Sequence, residues 1–188
     1  MSYDLHLLLP VPDEEPLATA HARLEMESEE INLGLPHPHK EARKTQLMRA
    51  LRLETPTLQP FEFGYSEIAQ MNGISEEEAR IRYRHIELNG AEDGNGIQIT
   101  LYDDGADVTI PYWHQPAAAR VVFDEVWRYL RILQNVGGFF VYDPQLDRQL
   151  DVDTDLSSVV ARYGGVVAKV PEIVKRAEEP PRPWWKRW

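Results

Sequence analysis

Two ionisable side chains, His114 and Asp143, are the residues of this chain best placed in the sequence for acid/base chemistry. His114 follows a tyrosine and a tryptophan at the expected end of one strand, and Asp143 ends an apolar strand. A general acid and a general base must lie within hydrogen-bond reach of the same substrate. The hypothesis is therefore a metal-dependent or acid/base hydrolase that uses His114 and Asp143. The alternative is that Asp143, which precedes Pro144, begins a turn.

The other histidines and aspartates give little support for a metal centre. His37 and His39 flank a proline, and the sequence has none of the histidine spacings typical of zinc enzymes. Asp151, Asp153 and Asp155 resemble the start of a calcium loop, but leucine and arginine follow where that loop needs glycine and glutamate. The chain contains no cysteine, which excludes thiol nucleophiles and zinc–thiolate sites. We predict no metal and no cofactor.

The sequence also lacks the motifs of the common nucleotide-binding and hydrolytic enzymes. It contains neither a glycine-rich phosphate loop nor the dinucleotide-binding glycine pattern. None of its serines lies in the glycine-flanked turn that exposes the nucleophile of many hydrolases. A non-catalytic role is therefore favoured over an enzymatic one.

The charge of the chain points to a different class of function. The formal net charge is −11, which disfavours nucleic acid as a partner because phosphate binding requires cations. Residues 13–30 hold seven acidic side chains and one arginine, whereas residues 40–52 hold five basic side chains and one glutamate. An acidic segment steers association with a basic protein. The candidate binding residues on this segment are Glu25, Glu27, Glu29 and Glu30.

Aromatic side chains form a second candidate binding surface. Tyr102, Tyr112 and Trp113 belong to neighbouring predicted strands, and tyrosine and tryptophan are enriched at interaction hot spots. If one face of the sheet is uncovered, these residues form a recognition patch on it, or an interface between copies of a homo-oligomeric structural protein. The alternative is that they pack beneath the helices.

Hydrophobic periodicity predicts the elements that position these residues. Alternation predicts strands near residues 3–9, 82–88, 97–101, 108–112 and 139–142, and a 3.6-residue period predicts the clearest helix over 117–136. Further helices are expected over 14–32, 40–53 and 65–71, from Ser75, and from Asp155 or Ser157 with an interruption at Gly164-Gly165. The hairpin signals favour an antiparallel arrangement.

These elements predict an α+β fold. We expect two layers, with a mainly antiparallel sheet of about five strands and helices packed on one face, ferredoxin-like in its β–β–α–β portion. Residues 1–177 are expected to form a single domain, and residues 178–188, rich in proline, tryptophan and arginine, a tail. No apolar run approaches the roughly 18 residues of a membrane span, and the cytoplasm is the expected location.

Two short segments carry a resemblance to known proteins. The opening Met1-Ser2-Tyr3-Asp4-Leu5 and the later Val141-Tyr142-Asp143-Pro144-Gln145 resemble small uncharacterised bacterial proteins, some of them similar to immunity proteins of toxin systems. The resemblance implies a bacterial cytoplasmic protein that neutralises a toxin, and it assigns no functional residue. The leading hypothesis is therefore a non-catalytic binding protein that occludes a basic partner with an acidic surface.

Overall fold

The computed structural model describes residues 1–27, 34–91 and 94–170. Within these ranges the chain forms an α+β fold with six helices and seven strands. In chain order they are β1 (Ser2–Leu8), α1 (Pro16–Glu27), α2 (Pro38–Glu54), β2 (Gln59–Pro60), α3 (Tyr65–Asn72), α4 (Glu76–Arg82), β3 (Ile86–Asn89), β4 (Gln98–Leu101), β5 (Gly105–Pro111), α5 (Pro116–Gly137), β6 (Phe140–Asp143), β7 (Arg148–Leu150) and α6 (Leu156–Val167).

All seven strands belong to one antiparallel sheet in the order β2-β3-β4-β5-β1-β6-β7. Strand β1 pairs with β5 along its whole length and with β6 near its end. Because β1 is antiparallel to both neighbours, β5 and β6 run parallel to each other. Helix α5 connects them, so β5, α5 and β6 form a split β-α-β unit with β1 in the gap.

One face of the sheet supports the main hydrophobic core. Tyr3, Leu5 and Leu7 alternate along β1 and are fully buried on this face. Helices α2, α5 and α6 cover it, and α5 contributes the long apolar stripe that its 3.6-residue period predicts. The stripe contains Val122, Phe123, Val126, Trp127, Leu130 and Leu133.

The second face carries a smaller apolar cluster beneath α1. Leu8, Phe140 and Tyr142 point to this side of the sheet and pack against Ala20 and Leu24 of α1. Helices therefore lie on both faces, which differs from the expected arrangement with helices on one face only. The main core contains none of these five residues, so α1 has its own small core.

The sheet has two more strands than the five expected. Strand β2 has two residues, one of them Pro60, and β7 has three, so neither is long enough to show alternation. Both lie at the edges of the sheet, where a strand needs only one partner. Pro60 fits this position because proline cannot donate a hydrogen bond to a further strand.

The helix boundaries agree closely with the sequence signals at several positions. The predicted cap is confirmed, since the hydroxyl oxygen of Ser75 accepts a hydrogen bond from the Glu78 N–H at 3.1 Å. Helix α5 ends at Gly138, whose φ of 72° is the left-handed conformation that glycine adopts readily. Helix α6 was expected to be interrupted at Gly164-Gly165 but continues through both glycines to Val167.

Several sequence expectations concern residues outside the described ranges. They include the end of the predicted helix over 14–32 and the boundary between residues 177 and 178 that separates domain and tail. In the ranges that are described, no helix combines the length and the apolar character that a membrane crossing requires.

Candidate functional site

His114 lies in the connection between β5 and α5, and its ring contacts the segment that precedes β4. The ring Nε2 is 2.6 Å from the carbonyl oxygen of Asn95. A carbonyl only accepts hydrogen bonds, so Nε2 is the donor in this contact. His114 therefore holds the Asn95 segment against the start of α5.

Asp143 is fully buried at the end of β6. Its Oδ2 accepts a hydrogen bond of 2.5 Å from the hydroxyl of Tyr3, which is also fully buried. Its Oδ1 accepts the backbone N–H groups of Gln145 at 2.8 Å and Leu146 at 3.1 Å. Burial raises the pKa of Asp143 above its usual range, although the three hydrogen bonds and Arg148 oppose the rise.

The structure does not bring His114 and Asp143 into one hydrogen-bonded pair. His114 donates to Asn95, whereas Asp143 is enclosed by Tyr3 and by its own turn. A substrate cannot reach a carboxylate that is 0% exposed. The geometry therefore matches the alternative in which Asp143 begins a turn, here the one that joins β6 to β7.

Replacing Tyr3 with phenylalanine tests this structural role of Asp143. We expect Tyr3→Phe to lower the free energy of unfolding by about 1–3 kcal/mol at pH 7, because a buried carboxylate loses its side-chain donor. The raised folded-state pKa means that ionisation of Asp143 destabilises the fold, so this group adds stability as the pH falls through that pKa. The cost of Tyr3→Phe should accordingly shrink at acidic pH. Urea denaturation at pH 7 and pH 4 measures both effects.

The control for this prediction is the same substitution in an Asp143→Asn background. Asparagine keeps an acceptor for the turn but carries no charge, so Tyr3→Phe should cost less there. An equal cost in both backgrounds would show that the phenol stabilises the core by packing alone.

The described residues contain no group of three or more potential ligands that could hold a metal ion. The rings of His37 and His39 lie 5.6 Å apart, and the described residues supply no third ligand beside them. Asp151 and Asp155 instead accept local backbone N–H groups, both at 2.8 Å. Asp155 also binds Arg148 through two hydrogen bonds, so these aspartates stabilise the loop before α6.

The three candidate aromatic residues do not share a surface. Tyr112 is partly buried and packs against the core, stacked on Tyr163 with ring centroids 5.3 Å apart. Tyr102 lies on the opposite side of the sheet beside His85, at 5.7 Å. Trp113 is 66% exposed beyond the end of β5. The predicted patch is therefore divided between the core, the second face and a loop.

A different row of aromatic rings was missed by the sequence reasoning. Phe61 and Phe63 contact each other at 5.1 Å, and Phe63 contacts His85 at 4.7 Å, which in turn contacts Tyr102. Phe61 is 51% exposed. Burial lowers the pKa of His85, with Glu87 opposing and Lys44 adding to the effect, so its ring is kept neutral. The sequence signal that could have identified this row is the spacing of Phe61 and Phe63, which lie two residues apart in an extended segment and so point to the same side.

The acidic segment is only partly described. Glu25 is exposed on α1, while the side chain of Glu27 and residues Glu29 and Glu30 lie outside what the structure describes. Of the four candidate binding residues on this segment, Glu25 is thus the one whose side chain the structure describes.

A second acidic region lies on the second face of the sheet, beside the area under α1. The paired registers place Asp4, Asp107 and Glu87 on this side of β1, β5 and β3. We call this region the polar sheet face, and its described residues are Ser2, Asp4, His6, Glu87, Asn89, Gln98, Thr100, Asp107 and Thr109. None of these described residues is a lysine or an arginine. Asp107 binds His6 at 2.7 Å, which leaves Asp4 and Glu87 without a described cationic partner.

Three of the five basic side chains of α2 are held in a charged cluster within the fold. Lys44 is fully buried and lies 3.1 Å from Asp103, and Arg84 binds both carboxylate oxygens of Asp103. Burial alone would raise the pKa of Asp103, but hydrogen bonds from Arg84 and Lys44 and their charges lower it below its usual range. The cluster comprises Lys40, Glu41, Arg43, Lys44, Arg84, Asp103 and Asp104. Three carboxylates thereby compensate most of the charge of four bases within the molecule.

Comparison of the chain with protein-family models, with curated proteins and with solved structures gave no match.

Proposed function

We propose that this chain is a cytoplasmic, non-catalytic binding protein that recognises a basic partner through the polar sheet face. The observation that carries the proposal is the charge of this face. It presents Asp4 and Glu87 among hydroxyl and amide groups, with no described lysine or arginine on the same face. Complementary charge speeds association with a basic surface and selects against acidic partners.

The distribution of the basic residues supports the same proposal. Lys44, Arg84 and Arg43 are held by carboxylates of the charged cluster, so they do not compensate the acidic residues elsewhere. The excess negative charge is left to the surface, where it acts over roughly 8–10 Å at physiological salt. The protein is therefore suited to electrostatic recognition.

The aromatic row borders the polar sheet face and suits an interface. Phe61 is half exposed, and its neighbour Phe63 is fixed by contacts with His85. An apolar anchor beside charged groups is the composition typical of binding hot spots. In this proposal the charges direct the encounter, and the aromatic row contributes to the affinity.

The class of partner follows from the resemblance noted in the sequence. A bacterial toxin whose working surface binds nucleic acid or another anion is a basic protein, and an immunity-like protein neutralises it by covering that surface. We propose a toxin of this kind as the partner.

We also infer that part of the fold is a two-layer, ferredoxin-like unit. The strands β4, β5, β1 and β6 are adjacent in that order, and α2 and α5 pack on the same face of them. The connections β1-α2-β4 and β5-α5-β6 then give the β-α-β-β-α-β pattern of that arrangement. Strands β2, β3 and β7 extend this unit at its two edges.

Neutral, isosteric variants of the acidic residues test the proposed function. The tagged protein is used to capture its partner from native bacterial cells at low salt, with mass spectrometry as the readout, and affinity is then measured with the purified pair. Asp4→Asn combined with Glu87→Gln should weaken binding about tenfold and reduce its dependence on salt. The matched control is Glu67→Gln combined with Glu77→Gln, which removes two exposed charges from α3 and α4.

The outcomes separate three interpretations. Equal affinity in both double variants would contradict the polar sheet face as the interface. A loss confined to Glu25→Lys would move the interface to the acidic segment on α1. Recovery of the protein without any partner, at several salt concentrations, would contradict the binding function itself.

A further inference from the structure

Two basic side chains of α2, Arg49 and Arg52, lie outside the charged cluster. Among the described residues, neither has a carboxylate partner. The next carboxylate along the helix is Glu54, and its Oε1 lies 3.8 Å from Nη1 of Arg128 on α5. The last turns of α2 therefore carry two positive charges that no described carboxylate neutralises, in a chain whose formal net charge is −11.

The same turns of α2 expose apolar side chains to solvent. Leu53 is 86% exposed, and Pro56 is exposed just beyond the end of the helix. Met48 is partly buried and packs against the main core, which fixes the floor of this surface. These three residues line, with Arg49 and Arg52, a groove of about 270 Å³. We call it the Leu53 groove, and its apolar wall is open to a partner.

The positive and apolar groups of the Leu53 groove lie side by side. Side chains three or four residues apart on a helix are neighbours, so Arg49 lies beside both Arg52 and Leu53. Nε of Arg52 donates to the carbonyl oxygen of Leu58 at 3.0 Å, which holds the guanidinium in one position. Its remaining N–H groups have no described acceptor. A group that is already ordered loses less entropy when it binds a partner.

The charge and the size of the Leu53 groove define what it can hold. A carboxylate forms charge-assisted hydrogen bonds with a guanidinium, often two at once. The side chains of Leu53 and Met48 favour apolar groups, whose surface is removed from water on contact. The volume corresponds to about nine water molecules of about 30 Å³, or to about two leucine side chains. The groove therefore fits two leucine-sized side chains with carboxylates beside them.

An amphipathic helix presents this combination in the required arrangement. Leucines four residues apart form a row on one side of a helix, and glutamates at the adjoining positions flank the row. Such helices bind in apolar grooves through side chains at these spacings. We propose that the Leu53 groove binds an acidic amphipathic helix of a partner protein, with its leucine side chains against Leu53 and Met48 and its carboxylates on Arg49 and Arg52.

The Leu53 groove and the polar sheet face lie on opposite sides of the sheet. Helix α2 packs on the main core, whereas the polar sheet face belongs to the second face. The proposed helix site is therefore independent of the proposed function. The net charge of the chain opposes an acidic partner at long range, but about 0.15 M salt largely screens charges more than about 8 Å apart. At that salt concentration the contacts within the groove decide binding.

The first experiment measures the binding of a synthetic acidic peptide to the intact protein. The fluorescein-labelled peptide has about 16 residues, long enough to form a helix in water, with leucine at every third or fourth position and glutamate between them. One control peptide has glutamine in place of glutamate, and the other has alanine in place of leucine. Fluorescence anisotropy at about 0.15 M salt should show saturable binding of the acidic peptide and at least about tenfold weaker binding of each control. Equal binding of the glutamine peptide, or no binding of the acidic peptide, would overturn the proposal.

Two variants then locate the binding site. Arg49→Gln and Leu53→Ser change exposed side chains, so each should weaken peptide binding about tenfold without loss of the fold. Leu35→Ser and Arg120→Gln are the matched controls, because they change an exposed leucine and an exposed arginine elsewhere on the protein. Both controls should bind the peptide as the unaltered protein does. Unchanged binding in either groove variant would contradict the proposed site.

Two further measurements separate this proposal from the alternatives. The double variant Asp4→Asn and Glu87→Gln, which tests the proposed function, should bind the acidic peptide with unchanged affinity, and a weaker affinity there would contradict binding in the Leu53 groove. Basic and apolar side chains also suit anionic lipid, so the protein is sedimented with phosphatidylcholine vesicles that contain phosphatidylserine. We expect the protein to remain in solution. Co-sedimentation that is lost in Arg49→Gln and Leu53→Ser, without binding of the peptide, would replace the partner helix by a lipid surface.

Discussion

Asp103→Ala is expected to lower the free energy of unfolding by about 3–5 kcal/mol, which is a large part of the stability of a typical domain. The side chain of Asp103 is 10% exposed and neutralises both Lys44 and Arg84. Removal of the carboxylate leaves the fully buried ammonium of Lys44 with Glu41, 2.9 Å away, as its remaining carboxylate partner. Urea denaturation followed by circular dichroism measures the difference in the free energy of unfolding between the unaltered protein and the variant.

Asp104→Ala is the matched control, because it removes the next carboxylate in the same turn. The side chain of Asp104 is 42% exposed and pairs with Lys40 and Arg43 near the surface. An exposed ion pair contributes little, so the cost should be below about 1 kcal/mol. A similar loss of unfolding free energy in the two variants would contradict the interpretation that burial makes the Asp103 carboxylate a large contributor to stability.

The pH dependence provides a second check on Asp103. Its folded-state pKa lies below the unfolded value of about 3.9, so its contribution is present above that value and is lost as the pH falls through the folded pKa. The stability difference between the unaltered protein and Asp103→Ala should therefore be full at pH 7 and smaller near pH 3. A difference that is constant with pH would contradict an electrostatic cause.

Trp127→Ala is expected to have the other large effect, a loss of about 3–5 kcal/mol in the free energy of unfolding. Trp127 is 1% exposed on α5, and its indole N–H donates to the carbonyl oxygen of Val152 at 2.8 Å. The substitution leaves a cavity in the core and removes a hydrogen bond to the segment that leads into α6. Thermal and urea unfolding both report the loss.

Trp113→Ala is the control for this prediction, because Trp113 is 66% exposed. It should cost less than about 1 kcal/mol, as surface substitutions usually do. If the exposed tryptophan proved as important as the buried one, the described core would not account for the stability.

The sequence predicted the elements that have a long hydrophobic period or a capping residue close to the helix start. Helix α5 was expected over 117–136 and extends over Pro116–Gly137, because seven or more apolar positions repeat with its period. The Ser75 cap needed only a residue three positions away. Strand β7 was missed because its three residues include one buried apolar side chain, Leu150, and pair with β6 after the turn at Asp143.

The position of α1 was not predictable from its own residues. Its apolar contacts depend on Leu8, Phe140 and Tyr142, and the alternation of β1 assigned Leu8 to the polar side. Only the pairing of β1 with β6 shows that these three residues lie together. A contact between distant parts of the chain also bears on Gly164-Gly165, which do not end α6. Tyr163, just before these glycines, is held by stacking on Tyr112.

The candidate sites depend on contacts between distant parts of the chain. The charged cluster joins Lys44, Arg84 and Asp103, which come from three separate segments of the chain. Charge counts identified the basic block of residues 40–52 but not its internal carboxylate partners. His114 and Asp143 were identified as polar residues at strand ends, and their partners show structural roles.

The central place of β1 has a consequence for how the protein is synthesised. Tyr3 and Asp143, which meet across β1 and β6, are 140 residues apart in the chain. A ribosome adds about 5–20 residues each second, so on the order of ten seconds pass between the synthesis of the apolar strand β1 and that of its second partner, β6. During that interval its edges are open to other chains. The pairing of β1 with β6 is therefore one of the last steps in completing this sheet.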